Sequence, residues 1–169
     1  MSAEAEAASA SPRFRIVIGS DDAGYEYRKA LLDDLENDPR VEWVRDMGVQ
    51  EDERTLYPDV AVRVGEAIMA GEADRGVLIC GTGLGVAMSA NKVPGIRAAV
   101  GHDSYSVERS ILSNNCHILA LGQRVIGLEL ARLLARQWLG YVFDPSSPSE
   151  EKVERIRAYE RKLQASAEA

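Results

Sequence analysis

Residues 76–85 read GVLICGTGLG. Five residues too apolar to face water on either side run straight into a loop with glycine at 81, 83 and 85. A short apolar run bounded by glycine is the pattern of a strand buried on both faces. The glycines let the chain turn tightly and bring backbone N–H groups close to an anion. A helix is expected to open directly after the loop and run to about Lys92, adding partial positive charge at its first turn. Strand, glycine turn and helix together make half of a βαβ unit.

On both sides of this stretch, short β-branched runs alternate with longer amphipathic segments. Residues 14–19 (FRIVIG), 41–47, 96–101 (IRAAVG) and 118–122 are the other expected strands. One helix is expected over about 24–36, with Tyr27, Leu31 and Leu35 on one face. Another begins near Pro58, where a helix start tolerates proline, and stops at Gly71. Residues 104–112 form a third. Leu128, Ala131, Leu134, Ala135 and Trp138 mark one face of a long helix. Residues 147–160 form a more polar last helix with Val153 and Ile156 as its main apolar points. The loop 48–56 is acidic and expected to be exposed.

Five strands, each followed by a helix, predict an α/β fold: a three-layer Rossmann-like domain with a five-stranded parallel sheet flanked by helices on both faces. Crossovers should be right-handed. Ligands of such sheets bind beyond the carboxyl ends of the strands, which directs attention to residues 19–25, 80–86, 101–105 and 122–127.

Composition fits this reading. The chain has 169 residues, 46% of them hydrophobic, which suits a single globular domain, expected over 13–165. Residues 1–12 lack a basic start and an apolar run, so they read as a disordered tail rather than a signal peptide. The net charge of −7 argues against a nucleic-acid partner. A small anionic substrate stays possible, because local cations can outweigh a distant negative surface. No apolar stretch approaches the roughly 20 residues of a membrane span, so no membrane partner is expected. The two cysteines, Cys80 and Cys116, lack metal-type spacing and read as free thiols of a cytoplasmic protein.

Several residues carry candidate chemistry. Cys80 ends the central strand in front of a helix start, where a thiol gains thiolate character. The glycine-loop amides form a pocket for a developing oxyanion. A thiolate beside such a pocket can take a proton from a carbon next to a carbonyl. Cys80 also fits as a small buried hydrophobe that merely ends a core strand. The GTGLG run resembles a dinucleotide fingerprint, with Asp103 near the distance of a ribose-binding acid. But the third glycine belongs at position 86, which is Val86, and the loop follows the third strand rather than the first.

Asp21 and Asp22, after the first strand, can cap the next helix or hydrogen-bond sugar hydroxyls, Asp21 being the candidate for the sugar. Arg124 can grip phosphate through two parallel hydrogen bonds, or stand as a solvated surface arginine. His102 falls on a ligand-side loop as a general acid or a phosphate contact. His117 opens a strand and reads as structural. Lys152 lies on the last helix, where a surface lysine is ordinary.

In order along the chain stand SDDAGY (20–25), Tyr57-Pro58, CGTGLG (80–85), SANK (89–92), PGIR (94–97), SNN (113–115) and GQR (122–124). Jointly, over about residues 14–160, they resemble the ribose-5-phosphate isomerase B and galactose-6-phosphate isomerase family. The resemblance implies a phosphorylated sugar substrate and neither metal nor organic cofactor. It implies a homodimer or tetramer with sites shared between subunits and a C-terminal helix reaching a partner. It makes Cys80 the base that shuttles a proton through a cis-enediolate, with Thr82 beside it handling protons on the substrate oxygens. Backbone amides of Gly81, Gly83, Leu84 and Gly85 would hold the enediolate oxygen. Asp21, Tyr57 and Asn114 would contact the sugar, Arg124 the phosphate, and Lys152 the neighbouring subunit's site.

Two positions depart from the family pattern. Asp22 stands where members commonly carry a histidine that helps bind phosphate. Ser113 stands where the pentose-phosphate enzymes carry a ring-opening histidine, and serine is a poor general acid. Either His102 substitutes from a nearby loop, or ring opening is not required. A four-carbon sugar with phosphate on carbon 4 has blocked the hydroxyl that would close a furanose, so it stays open. Ser113 therefore favours the pair D-erythrulose 4-phosphate and D-erythrose 4-phosphate over ribose 5-phosphate and ribulose 5-phosphate. A non-catalytic sugar-phosphate-binding protein on the same fold is the competing reading, and intact Cys80 and Thr82 favour the enzyme.

Overall fold

The strands are β1 (Phe14–Ser20), β2 (Val41–Asp46), β3 (Arg75–Cys80), β4 (Ala98–Val100) and β5 (Ile118–Gly122). They form one parallel sheet in the order β2-β1-β3-β5-β4. The computed structural model describes residues 13–167, and the tail expected at 1–12 lies outside them. The helices are α1 (Tyr25–Glu36), α2 (Tyr57–Met69), α3 (Leu84–Ala90), α4 (Ser104–Leu112), α5 (Leu128–Gly140) and α6 (Glu150–Ala167), with a single 3-10 turn, Asp22–Gly24, before α1. No described helix is long and apolar enough to cross a membrane.

The apolar run 76–80 is the middle of the sheet. It lies in β3, which is buried throughout and pairs with β1 on one side and β5 on the other. Successive side chains of a strand point to opposite faces, so both layers draw on it. Leu78 and Cys80 join the core under α2 and α3, with Val60, Val64, Val86 and Ala90. Val77 and Ile79 join the core under α1, α4 and α5, with Leu31, Ile111, Leu134 and Trp138. Each large aliphatic side chain buried this way contributes roughly 1.5–3 kcal/mol.

Three elements differ most from the sequence expectation. β4 begins at Ala98 rather than 96, because the Arg97 N–H goes to Nδ1 of His117 and Ile96 closes a turn onto Val93. α3 stops at Ala90, because the Asn91 side chain bonds both N and O of Ala98 and fixes the turn into β4. α6 starts at Glu150 and continues to Ala167. Ion pairs of Arg157 with Glu150 and Glu154, and of Arg161 with Glu154, brace it. Its Val153 is buried while Ile156, Tyr159 and Leu163 stay exposed.

The strand order places the site. From β1 the chain crosses to β2 at one edge, whereas from β3 it crosses past β5 to β4 at the other. The loops leaving β1 and β3 therefore diverge, and a crevice opens between neighbouring strand ends.

Candidate active site

A cavity of about 270 Å³ occupies that crevice. The end of β3, the turn after it and the start of α3 line it with Cys80, Gly81, Thr82 and Gly85. Asp21 and Ala23 enter from the turn after β1, Tyr57 from the start of α2, and Arg124 from the loop after β5.

Cys80 is 5% exposed, and its sulfur accepts the Gly83 N–H at 3.1 Å. Gly83 has φ +78°, and a Cβ there would stand 2.9 Å from the carbonyl carbon of Leu121. A Cβ on Gly122 would stand 2.6 Å from the carbonyl carbon of Thr82. The turn and the end of β5 thus meet backbone to backbone, which is the physical demand for glycine at both positions. Thr82 is exposed, and its Oγ1 accepts the Leu84 N–H at 3.3 Å. The amides of Gly83 and Leu84 are therefore turned onto the side chains of Cys80 and Thr82. Leu84 itself faces outward at 57% exposure.

The walls are set by equally close contacts. The Tyr57 ring lies on Gly85, where a Cβ would approach Cε2 to 2.6 Å. The loop after β5 is laid along the turn by two bonds, Gln123 N–H to the Cys80 carbonyl at 2.9 Å and Arg124 N–H to the Gly81 carbonyl at 3.0 Å. This places the exposed Arg124 guanidinium beside Gly81. Asp21 is nearly buried, and its Oδ1 accepts the Gly24 N–H at 3.2 Å, so it caps the 3-10 turn and lines the cavity at once. Burial, and then the charge of Asp22, push its pKa up against the pull of neighbouring amides and Arg124.

A second hollow of about 350 Å³ adjoins the first and shares Asp21 and Tyr57 with it. Asp22, Arg54, Thr55 and Leu56 complete its lining. Arg54 is the residue that sequence reasoning missed. Its signal was present, for it is the one cation in residues 48–56.

The remaining sequence candidates lie elsewhere in the chain. His102 does not line the cavity: half-buried behind it, its Nε2 accepts the Gly122 N–H at 2.8 Å. Ser113 and Asn114 follow α4 and sit at the amino end of the sheet, where Arg97 Nε bonds the Asn114 carbonyl at 3.0 Å. Cys80 is level with Gly122 and Asn114 precedes Ile118, so strand length alone puts at least ~13 Å between them. Lys152 is exposed near the start of α6, away from the cavity lining. Among the described residues no group of three or more His, Cys, Asp or Glu is placed to hold a metal ion.

The sequence pattern of the Ribose/Galactose Isomerase family matches residues 16–156, which takes in β2 to β5, all but the first two residues of β1, and all of the crevice. This chain belongs to that family. The isomerase is 59% identical over 147 residues to D-erythrulose-4-phosphate isomerase 2 of Mycolicibacterium smegmatis, a match covering 86% of this chain and 97% of that one. It is 43% identical over 148 residues to Ribose-5-P isomerase B of Listeria innocua, covering 88% and 98%. Its fold superimposes on ribose-5-phosphate isomerase B of Clostridium thermocellum with a TM-score of 0.83 at 44% identity, covering 88% of the isomerase and 99% of that chain.

Proposed function

We propose that the isomerase interconverts the ketose and aldose forms of a four-carbon sugar phosphate, D-erythrulose 4-phosphate and D-erythrose 4-phosphate, with Cys80 as the base. The observation that carries this is the Cys80 sulfur held by the Gly83 amide at the edge of a cavity that also holds Thr82, Asp21 and Arg124. The Cys80 thiolate takes a proton from the carbon beside the carbonyl. The electron pair left behind forms the carbon 1–carbon 2 double bond, and the carbonyl oxygen becomes an enediolate oxygen. Thr82 relays a proton between the two substrate oxygens. The thiol then returns its proton to the other carbon, and the carbonyl reforms on the neighbouring oxygen. Asp21 accepts from sugar hydroxyls and Arg124 faces the phosphate.

The preference for four carbons rests on the residues available for ring opening. Ser113 has no proton to give near neutrality. His102 is no substitute, because its Nε2 is already an acceptor for Gly122. An open-chain tetrose phosphate needs neither. The relative at 59% identity carries a name of the same kind.

One chain holds only part of this site. Ser113, Asn114 and Lys152 reach substrate only in a second copy of the chain, docked with the amino end of its sheet over the crevice. The active unit is a homodimer or a higher assembly of dimers, which the exposed apolar stripe of α6 supports. The test is kcat/KM on D-erythrulose 4-phosphate beside ribose 5-phosphate. The four-carbon sugar should be favoured by at least about tenfold. A preference for ribose 5-phosphate would overturn the substrate assignment.

A further inference from the structure

We infer that His102 is a positioning residue, whose ring holds the end of β5 in the place where the Cys80 turn and Arg124 are seated. The inference rests on the crevice being the active site.

β4 pairs with β5 only over Ala98–Val100 and Ile118–Ala120. Two residues past the end of β4, His102 offers Nε2 to the Gly122 N–H at 2.8 Å and so prolongs that edge beyond the last paired residue. The residues just after Gly122 build the wall of the site. Gln123 and Arg124 donate to the carbonyls of Cys80 and Gly81, and the backbone of Gly122 touches that of Thr82 without room for a Cβ. On the far side, the Gln123 side chain accepts the Tyr27 N–H at 3.1 Å, and the Tyr27 hydroxyl donates to the Ile126 carbonyl at 2.8 Å. Segment 122–126 is thereby fastened to the cysteine turn and α1 on one side and to His102 on the other.

An imidazole nitrogen accepts only when unprotonated, so this bond fixes both the neutral ring and the tautomer with its proton on Nδ1. Burial of the ring works in the same direction, against the nearby Asp103. A proton donated from Nε2 is incompatible with that bond. The role left to His102 is geometric, acting through Gly122 on the atoms that meet substrate.

Side-chain geometry makes the idea testable. A glutamine oxygen reaches the place of Nε2, an asparagine oxygen reaches only that of Nδ1, and leucine fills similar space with no acceptor. His102→Gln should keep kcat/KM within a few-fold, whereas His102→Asn and His102→Leu should lose about 10- to 100-fold. Folded His102→Gln as impaired as His102→Leu, or His102→Leu as active as the parent, would overturn the inference. A measurement on the unmodified protein stands independent of variant folding: a nitrogen–nitrogen coupling across the hydrogen bond between the Gly122 amide and His102 Nε2 by NMR. Its presence with Nε2 unprotonated is expected, and its absence, or a proton on Nε2, overturns the inference. Turnover surviving in Cys80→Ala would instead remove the active-site reading and leave that coupling untouched.

Discussion

The sulfur of Cys80 and the amide nitrogen of Gly83 lie 3.1 Å apart, and the bond between them closes the turn in front of α3. Only a left-handed residue lets that amide point back at the sulfur while the chain passes the Leu121 backbone. Gly83→Ala adds a methyl 2.9 Å from the Leu121 carbonyl carbon and strains the backbone. The expected cost is about 1–3 kcal/mol of stability in urea unfolding, with a larger proportional fall in kcat as the amide swings away. Full activity in a Gly83→Ala protein would mean the turn has no such demand.

The placement of Asn114 across the sheet from Cys80 makes a subunit prediction. Cys80→Ala and Asn114→Ala proteins should each be nearly inactive alone. Mixed in equal amounts, unfolded and refolded together, they should recover about a quarter of parental activity. Random pairing makes half of the dimers mixed, and each mixed dimer carries one intact site. No recovery, with mixed dimers demonstrably formed, would place both residues in the same chain's site.

The proposed substrate preference can be tested at Ser113. Ser113→His restores a group able to give a proton near neutrality, so activity on ribose 5-phosphate should rise about tenfold or more relative to D-erythrulose 4-phosphate. The ratio of kcat/KM values for the two sugars reads it directly. An unchanged ratio would detach ring opening from this position.

His117 adds to the loss of stability expected in acid. Burial, with Arg97, Arg157 and Arg75 adding to it, pushes its pKa down to about 4. The unfolded chain takes up a proton near pH 6.5 and the folded chain does not, so the unfolded state gains as pH falls. The stability this neutral ring contributes is full above about pH 6.5 and drains away as pH falls to about 4. His117→Asn keeps an acceptor near Nδ1 for the Arg97 N–H and removes the titration. Its urea midpoint should be visibly flatter between pH 6.5 and 4 than the parent's, and an equally steep curve would assign the acid loss to other groups.

Much of this architecture was written in local pattern. β3 and β5 are continuous apolar runs because both of their faces are covered, and their bounds could be read within a residue. α4 stands where its pattern put it, since Asp103 caps its start through the Ser106 N–H. Features that depend on partners far along the chain were hidden. The late start of β4 comes from His117, twenty residues on, taking the Arg97 N–H. The strand order, which opens the crevice between β1 and β3, is a property of the crossovers and leaves no mark on any single run.

The site divided in the same way. The cysteine turn was visible because chain geometry demands its glycines. Arg54 was overlooked because one cation in an acidic loop carries no periodicity. The position of His102 on a ligand-side loop was legible, but its use was not, because the partner of Nε2 is the Gly122 amide, twenty residues on, rather than a group in the cavity.

The proposed role of the Cys80 sulfur is to remove a carbon-bound proton from the sugar phosphate. Solvent deuterium exchange tests it most directly: D-erythrulose 4-phosphate is incubated in D2O with Cys80→Ala protein, and label entering carbon 1 is followed by NMR. Wash-in should fall by about 10²- to 10⁴-fold while the sugar phosphate still binds. Wash-in at the parental rate in a folded Cys80→Ala protein would contradict it.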